Sequence, residues 1–266
     1  MSLSCDDGGS VAYFVSGSGE PVVFIHGLGL DSSMWKPQLG ALSRICRVIR
    51  YDVRGFGDSS VPTGAYSRSA DLYSLLDHLG ACPAHVVGLS MGGNIALRFA
   101  VDQPLAVKSL VLLDPALEGH AWSSVWAQKM NAIRAAARVG DVEAAKRLWL
   151  MHDLFAPARR NADVSASLSG MIERYSGWHW SHVDPAVAPP PPISERLADI
   201  ACPTLIVLGA LDAPDFHAIA QRLSNEIPGA TLVTIPDVGH MSSMEAPDVV
   251  NGLIMNHLRD LGVTGA

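Results

Sequence analysis

Residues 88–93 read Gly88-Leu89-Ser90-Met91-Gly92-Gly93, between an apolar run at 84–87 and a helix-compatible segment at 94–100. A Gly-x-Ser-x-Gly pattern in this context is typical of a nucleophile elbow, a sharp strand-to-helix turn that exposes a serine. The turn strains the serine backbone, and glycines at 88 and 92 would let strand and helix approach without a Cβ clash. The pattern predicts that Ser90 is a nucleophile at the amino end of a helix, whose dipole favours developing negative charge.

Short apolar, β-branched runs recur on both sides of this motif, with helical stretches between them. This alternation predicts an α/β fold with a mainly parallel sheet flanked by helices. Several runs are apolar without alternation, as expected of strands buried on both faces. The predicted strands are residues 11–15, 21–26, 47–52, 84–88, 109–113, 204–208 and 230–235.

The strand-helix rhythm stops between residues 117 and 193, where helical patterns occur without a convincing strand. This segment holds five of the six tryptophans and ends in a four-proline run at 189–192, which favours a stiff extended connector. We predict a core built from residues 1–116 and 194–266, with 117–193 inserted as a helical cap, or lid, over the carboxyl edge of the sheet. The aromatic residues of the cap could equally form its own core.

A serine hydroxyl is a poor nucleophile near pH 7, so a base must lie within hydrogen-bond reach, and histidine is the usual one. Among ten histidines, His240 is favoured because it lies in a turn just past the last predicted strand. His26, in a His-Gly turn, is interpreted as structural. His179 and His182 stand near Asp184 but lack a third type of ligand, so we interpret them as cap residues that line or rim the pocket, without zinc.

The acid that orients the histidine should follow the end of an adjacent strand. Asp212 meets this condition, because it comes shortly after the predicted strand 204–208. Asp114, directly after the strand 109–113, is the main alternative, whereas Asp215 lies further along and Asp237 belongs to the histidine's own turn. The predicted triad is Ser90, Asp212 and His240, in the chain order expected of a nucleophile-elbow fold.

The oxyanion hole and the pocket complete the predicted site. Two backbone N–H groups must point at the developing charge. We expect one from Met91, directly after the nucleophile, and the other from Leu28, in the glycine-rich loop after strand 21–26. The cap's aromatic segments and the loop after His240 should close over the nucleophile. The predicted substrate-binding residues are Trp149, Met151, Trp178 and Met241.

Charge and composition narrow the class of partner. The formal net charge is −7 and no basic run occurs, which disfavours nucleic acid and anionic membrane surfaces. No apolar run approaches the roughly 20 residues that span a bilayer. The first ten residues lack the basic flank and apolar stretch of a secretory signal. We expect a cytoplasmic monomer or homodimer that acts on a small neutral or apolar molecule.

Several of these segments together resemble the α/β-hydrolase superfamily across nearly the whole chain: residues 26–29, 51–59, 88–93, 212 and 239–240. Within it the sequence is similar to the capped bacterial carboxylesterases and 3-oxoadipate enol-lactonases. The resemblance implies a serine hydrolase, without metal or cofactor, that cleaves a small carboxylic ester or lactone. Ser90 would form an acyl-enzyme, the alcohol would leave, and His240 would then activate water.

The same residues also favour or disfavour other activities known in the superfamily. Haloalkane dehalogenases and epoxide hydrolases carry an aspartate nucleophile, so a serine at position 90 disfavours alkyl-enzyme chemistry. Proline-specific peptidases usually offer cap carboxylates, whereas this cap is rich in aromatic residues and histidine. Hydrolases of carbon–carbon bonds in ring-cleavage products, cofactor-free perhydrolases and receptor-like ligand-binding proteins stay open as alternatives.

Overall fold

One sheet organises the molecule, which we describe from a computed structural model over residues 1–5 and 7–264. Within these residues eight strands form the sheet: β1 (Ser2–Ser4), β2 (Ser10–Ser16), β3 (Pro21–Ile25), β4 (Arg47–Tyr51), β5 (Ala84–Leu89), β6 (Val107–Leu113), β7 (Thr204–Gly209) and β8 (Thr231–Ile235). Their order across the sheet is β1-β2-β4-β3-β5-β6-β7-β8. The pairs β1–β2 and β2–β4 are antiparallel and the other neighbouring pairs are parallel. The predicted mainly parallel α/β fold is confirmed.

All seven predicted strands occur, with ends that differ by at most two residues from the predicted ones. The central strand β5 is buried along its whole length, as its unbroken apolar run predicts. β1 was not predicted, because its three residues are too short to show a pattern and two of them are exposed. Its hydrogen-bonded pairing with β2 defines this strand.

The helices divide into two groups along the described chain. One group follows the strands of the sheet: α1 (Lys36–Leu42), α2 (Arg68–His78), α3 (Met91–Asp102), α8 (Pro214–Glu226), α9 (Ser242–Glu245) and α10 (Pro247–Asp260). The other group falls between β6 and β7: α4 (Ser124–Arg138), α5 (Val142–Leu150), α6 (Ala162–Arg174) and α7 (Trp178–Ser181). Val250, Ile254 and Leu258 of α10 are fully buried, so the apolar stripe of that helix packs inward. None of the helices in the described residues is both long and apolar enough to cross a bilayer.

Residues 117–193, named the cap segment below, contribute no strand to the sheet within the described chain. Trp149 and Trp180 are almost fully buried, with their rings 6.1 Å apart, and both lie against Gly29 in the loop after β3, so they pack between the cap segment and the core. The cap segment meets the rest of the chain where His179 stacks on Phe56, with ring centroids 4.1 Å apart. This contact fixes α7 against the loop that follows β4.

Candidate active site

Ser90 lies between the end of β5 and the start of α3, in a backbone conformation that L-residues rarely adopt. Its φ of 56° and ψ of −114° leave it strained by about 1–3 kcal/mol. Its N–H donates to the carbonyl of Leu113 at 3.0 Å, and its carbonyl accepts from the N–H groups of Asn94 and Ala116. Hydrogen bonds to three neighbouring segments therefore hold the predicted sharp turn.

The glycines on either side of Ser90 have no room for a side chain. A Cβ at Gly88 would lie 2.3 Å from the carbonyl oxygen of Gly92. A Cβ at Gly92 would lie 2.1 Å from the carbonyl oxygen of Ile25, on the neighbouring strand β3. The prediction that these glycines permit a close approach of strand and helix is confirmed, and in both cases the opposing group is backbone.

His240 and Asp212 meet at the same edge of the sheet, in the loops that follow β8 and β7. His240 Nδ1 lies 2.8 Å from Asp212 Oδ2, and both side chains are buried. The other carboxylate oxygen of Asp212 accepts from the N–H of Ala213 at 2.6 Å. The two loops are tied by the N–H of Leu211, which donates to the carbonyl of Val238. The acid–histidine pair is thus set by backbone contacts between neighbouring loops.

Glu245 is a residue of this site that the sequence did not reveal. Its carboxylate accepts from the N–H of Gly239 at 2.9 Å and from the N–H of Met241 at 3.0 Å, on either side of His240. Burial raises the pKa of Glu245. An acidic residue in the short helix α9 carries no pattern that would predict this, because its role depends on how the loop after β8 folds back.

The other acids weighed from the sequence have different partners. Asp215 accepts from the hydroxyl and the N–H of Ser123, at the start of α4. Asp237 lies in the turn before His240 with a φ of 60°. Asp114 is fully buried and accepts from the N–H of Gly209 at 2.7 Å. Of these acids, Asp212 is the one hydrogen-bonded to His240.

A cavity of about 290 Å³ opens above Ser90. Its core side includes Leu28, Met91 and Phe216. The ring of Phe216 also packs on the ring of His240, with centroids 4.3 Å apart, so one side chain touches both the cavity and the histidine. Within the described residues, no hydrogen bond joins Ser90 to His240.

The cap side of the cavity is mostly apolar. Trp122 and Trp126 are stacked with ring centroids 4.6 Å apart, and both line the cavity. Helix α4 also places one charged side chain, Arg134, on the cavity wall. The remaining cap residues on this wall are Ala127, Met130, Asn131 and Trp149.

Of the four predicted substrate-binding residues, the structure places only Trp149 on this cavity. Met151 is 64% exposed at the end of α5. Trp178 stacks against His182 instead, and Met241 is fully buried in the core. For Trp178 and Met151 the cause is that aromatic content locates the cap segment but does not tell which face of each short helix points inward. Met241 lies outside the cap segment, and its side chain turns into the core from the loop after β8.

The other three histidines weighed from the sequence have surroundings different from those of His240. His26 is fully buried, and its Nε2 accepts from the N–H of Val53 at 2.9 Å, which supports the structural interpretation. His179 stacks on Phe56, and burial lowers its pKa to about 3. It lines a second cavity beside the first, whereas His182 is exposed.

Comparison with known proteins agrees with this architecture. Residues 22–253 match the model of the alpha/beta hydrolase family. The chain is 32% identical to the dihydrolipoyllysine-residue acetyltransferase component of the acetoin cleaving system of Cupriavidus necator, over 95% of this chain and 67% of that one. It is 28% identical to 3-oxoadipate enol-lactonase 1 of Acinetobacter baylyi, over 85% and 84% of the two chains.

A solved structure of a thermophilic esterase from Thermogutta terrifontis is also similar. It superposes with a TM-score of 0.80 at 29% identity, covering 98% of each chain. The elbow at Ser90, the mainly parallel sheet and these matches lead to the same conclusion: the chain belongs to the alpha/beta hydrolase family.

Proposed function

We propose that this protein is a serine hydrolase that cleaves a small carboxylic ester or lactone, with Ser90, His240 and Asp212 as its catalytic triad. The observation that carries the proposal is the 2.8 Å contact between Nδ1 of His240 and Oδ2 of Asp212, both buried beside the cavity that Ser90 lines. A buried carboxylate against one ring nitrogen is the arrangement that leaves the other nitrogen to exchange protons.

The proposed reaction begins with proton transfer. Asp212 accepts from Nδ1–H of His240, which places the lone pair on Nε2. Nε2 takes the proton of the Ser90 hydroxyl while Oγ attacks the substrate carbonyl. The hydrogen bond between these two groups forms when substrate is bound, since catalytic hydrogen bonds often reach good geometry only in that complex. The protonated ring then gives its proton to the leaving alkoxide, and an acyl-enzyme stays on Ser90.

The second half of the reaction repeats these roles with water. His240 removes a proton from a water molecule, which attacks the acyl carbonyl and releases the acid. In both halves the carbonyl oxygen becomes negatively charged. We propose that the N–H groups of Met91 and Leu28, two residues that line the cavity with Ser90, stabilise this charge at the amino end of α3.

The shape of the cavity supports a small substrate. At about 290 Å³ it lies near the lower end of the range for small-molecule sites, and aromatic side chains such as Trp126 and Trp149 form much of its wall. We propose that the cap segment acts as the lid that selects the acyl or alcohol group. The esterase and enol-lactonase among the similar proteins support this substrate class.

A substrate panel tests the proposal. The panel contains short p-nitrophenyl esters, lactones, enol-lactones and ring-cleavage products, each with Ser90→Ala as the blank. We expect turnover of an ester or a lactone, and a loss of about 10⁴-fold or more in kcat in Ser90→Ala with its circular dichroism unchanged. A fluorophosphonate should label the native protein and not the variant.

Three other outcomes would each contradict a different part of the proposal. Hydrolysis retained by pure Ser90→Ala would refute the proposed nucleophile. Turnover restricted to ring-cleavage products would replace the ester reaction with carbon–carbon bond hydrolysis. Labelling of Ser90 without turnover of any substrate would favour a receptor-like protein.

A further inference from the structure

A second carboxyl group lies beside the proposed acid–histidine pair. Asp114 follows β6 directly, is fully buried and has a φ of 45°. Its N–H donates to the carbonyl of Val207 at 2.8 Å, and its Oδ1 accepts from the N–H of Gly209 at 2.7 Å. Contacts with the neighbouring strand β7 thus hold this carboxyl group at the edge of the sheet where the triad lies.

Two acidic side chains, those of Asp114 and Asp212, lie close to the imidazole of His240. One side-chain oxygen of Asp114, one of Asp212 and a ring nitrogen of His240 all lie within 4.8 Å of one another, and all three residues are buried. A single acid is enough to orient a catalytic histidine. Asp114 is therefore a titratable group within reach of the histidine that the proposed reaction does not use.

The Oδ2 of Asp114 is buried, and within the described residues no hydrogen bond of good geometry reaches it. The hydroxyl of Ser242 lies close to this carboxyl group and acts to lower its pKa, against larger effects that raise it. An ionised carboxylate with an unsatisfied buried oxygen costs more free energy than a protonated carboxyl group, because burial penalises the charge most. Burial and the negative charge of Asp212 raise the pKa of Asp114 well above its usual range. Glu245 adds to the repulsion.

From this geometry we infer that Asp114 is a reserve acid for His240: a positioning residue whose Oδ2 can accept from Nδ1–H when Asp212 is unable to do so. The inference rests on the proposed function. In the native protein Asp114 keeps its proton because it is fully buried and lies beside the carboxyl group of Asp212. When Asp212 is made neutral, Asp114 releases its proton to solvent and its carboxylate turns to the ring.

A double-mutant cycle tests the reserve acid. Its variants are Asp212→Asn, Asp114→Asn and the double variant, all nearly isosteric with the native side chains. Loss of the only acid of a triad lowers kcat by about 10⁴-fold. We expect Asp212→Asn to lose only about 10- to 100-fold and the double variant to lose about 10⁴-fold, so that the two substitutions are strongly non-additive.

The pH profile adds a readout that a structural role would not change. In Asp212→Asn, kcat should depend on an ionisation that is lost in the double variant, because it belongs to Asp114. This profile decides the question even if the double variant does not fold: a profile in Asp212→Asn with no added ionisation overturns the reserve acid. So does a loss of about 10⁴-fold in Asp212→Asn that Asp114→Asn leaves unchanged.

Failure of the inference is distinguishable from failure of the proposed function. His240→Ala and Ser90→Ala are measured in parallel. If both are inactive while the acid variants behave additively, the triad stands and the reserve acid falls. If either retains native turnover, the proposed function itself falls, and the reserve acid falls with it.

Discussion

The two sides of the cavity above Ser90 are built in different ways. On the core side, Ser90 is held by backbone hydrogen bonds, and Gly92 lies against the backbone of Ile25 with no space for a Cβ. On the cap side, the wall consists of side chains on helices, such as the stacked pair Trp122 and Trp126. Backbone geometry tolerates little change, whereas side chains can be exchanged. The core side should therefore fix the reaction and the cap side the substrate.

Gly92→Ala tests the rigidity of the core side and has the largest expected effect. Its Cβ would lie 2.1 Å from the carbonyl oxygen of Ile25, and a strand backbone cannot move aside as a flexible side chain can. We expect a loss of about 3 kcal/mol in the free energy of unfolding, measured by urea denaturation.

Gly252→Ala is the matched control, because Gly252 lies in α10 with no atom within 4 Å of its added Cβ. Alanine is the better helix former, so this variant should be as stable as the native protein or up to about 1 kcal/mol more stable. Equal urea midpoints for Gly92→Ala and the native protein would show that the core side is not rigid.

Trp126→Ala tests the cap side. Trp126 lines the cavity and packs on Phe216 at 5.4 Å between centroids, so its loss enlarges the cavity without replacing a residue of the proposed triad. We expect kcat/KM for p-nitrophenyl esters to fall by about 10- to 100-fold for the preferred acyl length, with a shift towards longer acyl groups. Trp178→Ala is the control, because Trp178 lies outside this cavity. Identical shifts in both variants would contradict the assignment of the wall.

The same contrast explains what could be predicted from the sequence. The pattern around Ser90 restricts the backbone so strongly that the elbow and its strand follow from residue types alone. Asp212 could be favoured because parallel strands end at one edge of the sheet, a rule of topology. Trp178 and Met151 were misplaced because the orientation of a short cap helix depends on its packing partners. Glu245 was missed for a similar reason, since its contacts form only when the loop folds back.

His179→Phe tests the contact between the cap segment and the loop that follows β4, where His179 stacks on Phe56. Burial lowers the pKa of His179 to about 3, whereas in the unfolded chain the group titrates near 6.5. Below pH 6.5 the unfolded chain gains a proton that the folded protein does not, so stability falls as the pH drops towards 3. At pH 5 the resulting loss in the free energy of unfolding, relative to neutral pH, is about 2 kcal/mol.

Phenylalanine keeps the stack on Phe56 and removes this titration. The stability lost between pH 7.5 and pH 5, measured by urea denaturation, should therefore be smaller in His179→Phe by up to about 2 kcal/mol. Burial lowers the pKa values of His85 and His152 to about 4, and both residues are present in the two proteins. They therefore contribute the same pH dependence of the free energy of unfolding to both. If the pH dependence of stability were the same in both proteins, His179 would not be buried against Phe56 in solution.

Arg134→Gln has the smallest expected effect and tests how finely the cap side selects. Arg134 is the one charged side chain on the wall of the cavity within the described residues, and it is exposed. An exposed guanidinium attracts a carboxylate weakly and is screened by salt. We expect KM for an ester that carries a free carboxylate to rise by about 3- to 10-fold at low salt, less at high salt, with little change for a neutral ester. Arg138→Gln, also on α4 but away from the cavity, is the control. An equal change for both esters would show that Arg134 acts through packing, and a neutral wall would then be the better description of the cap side.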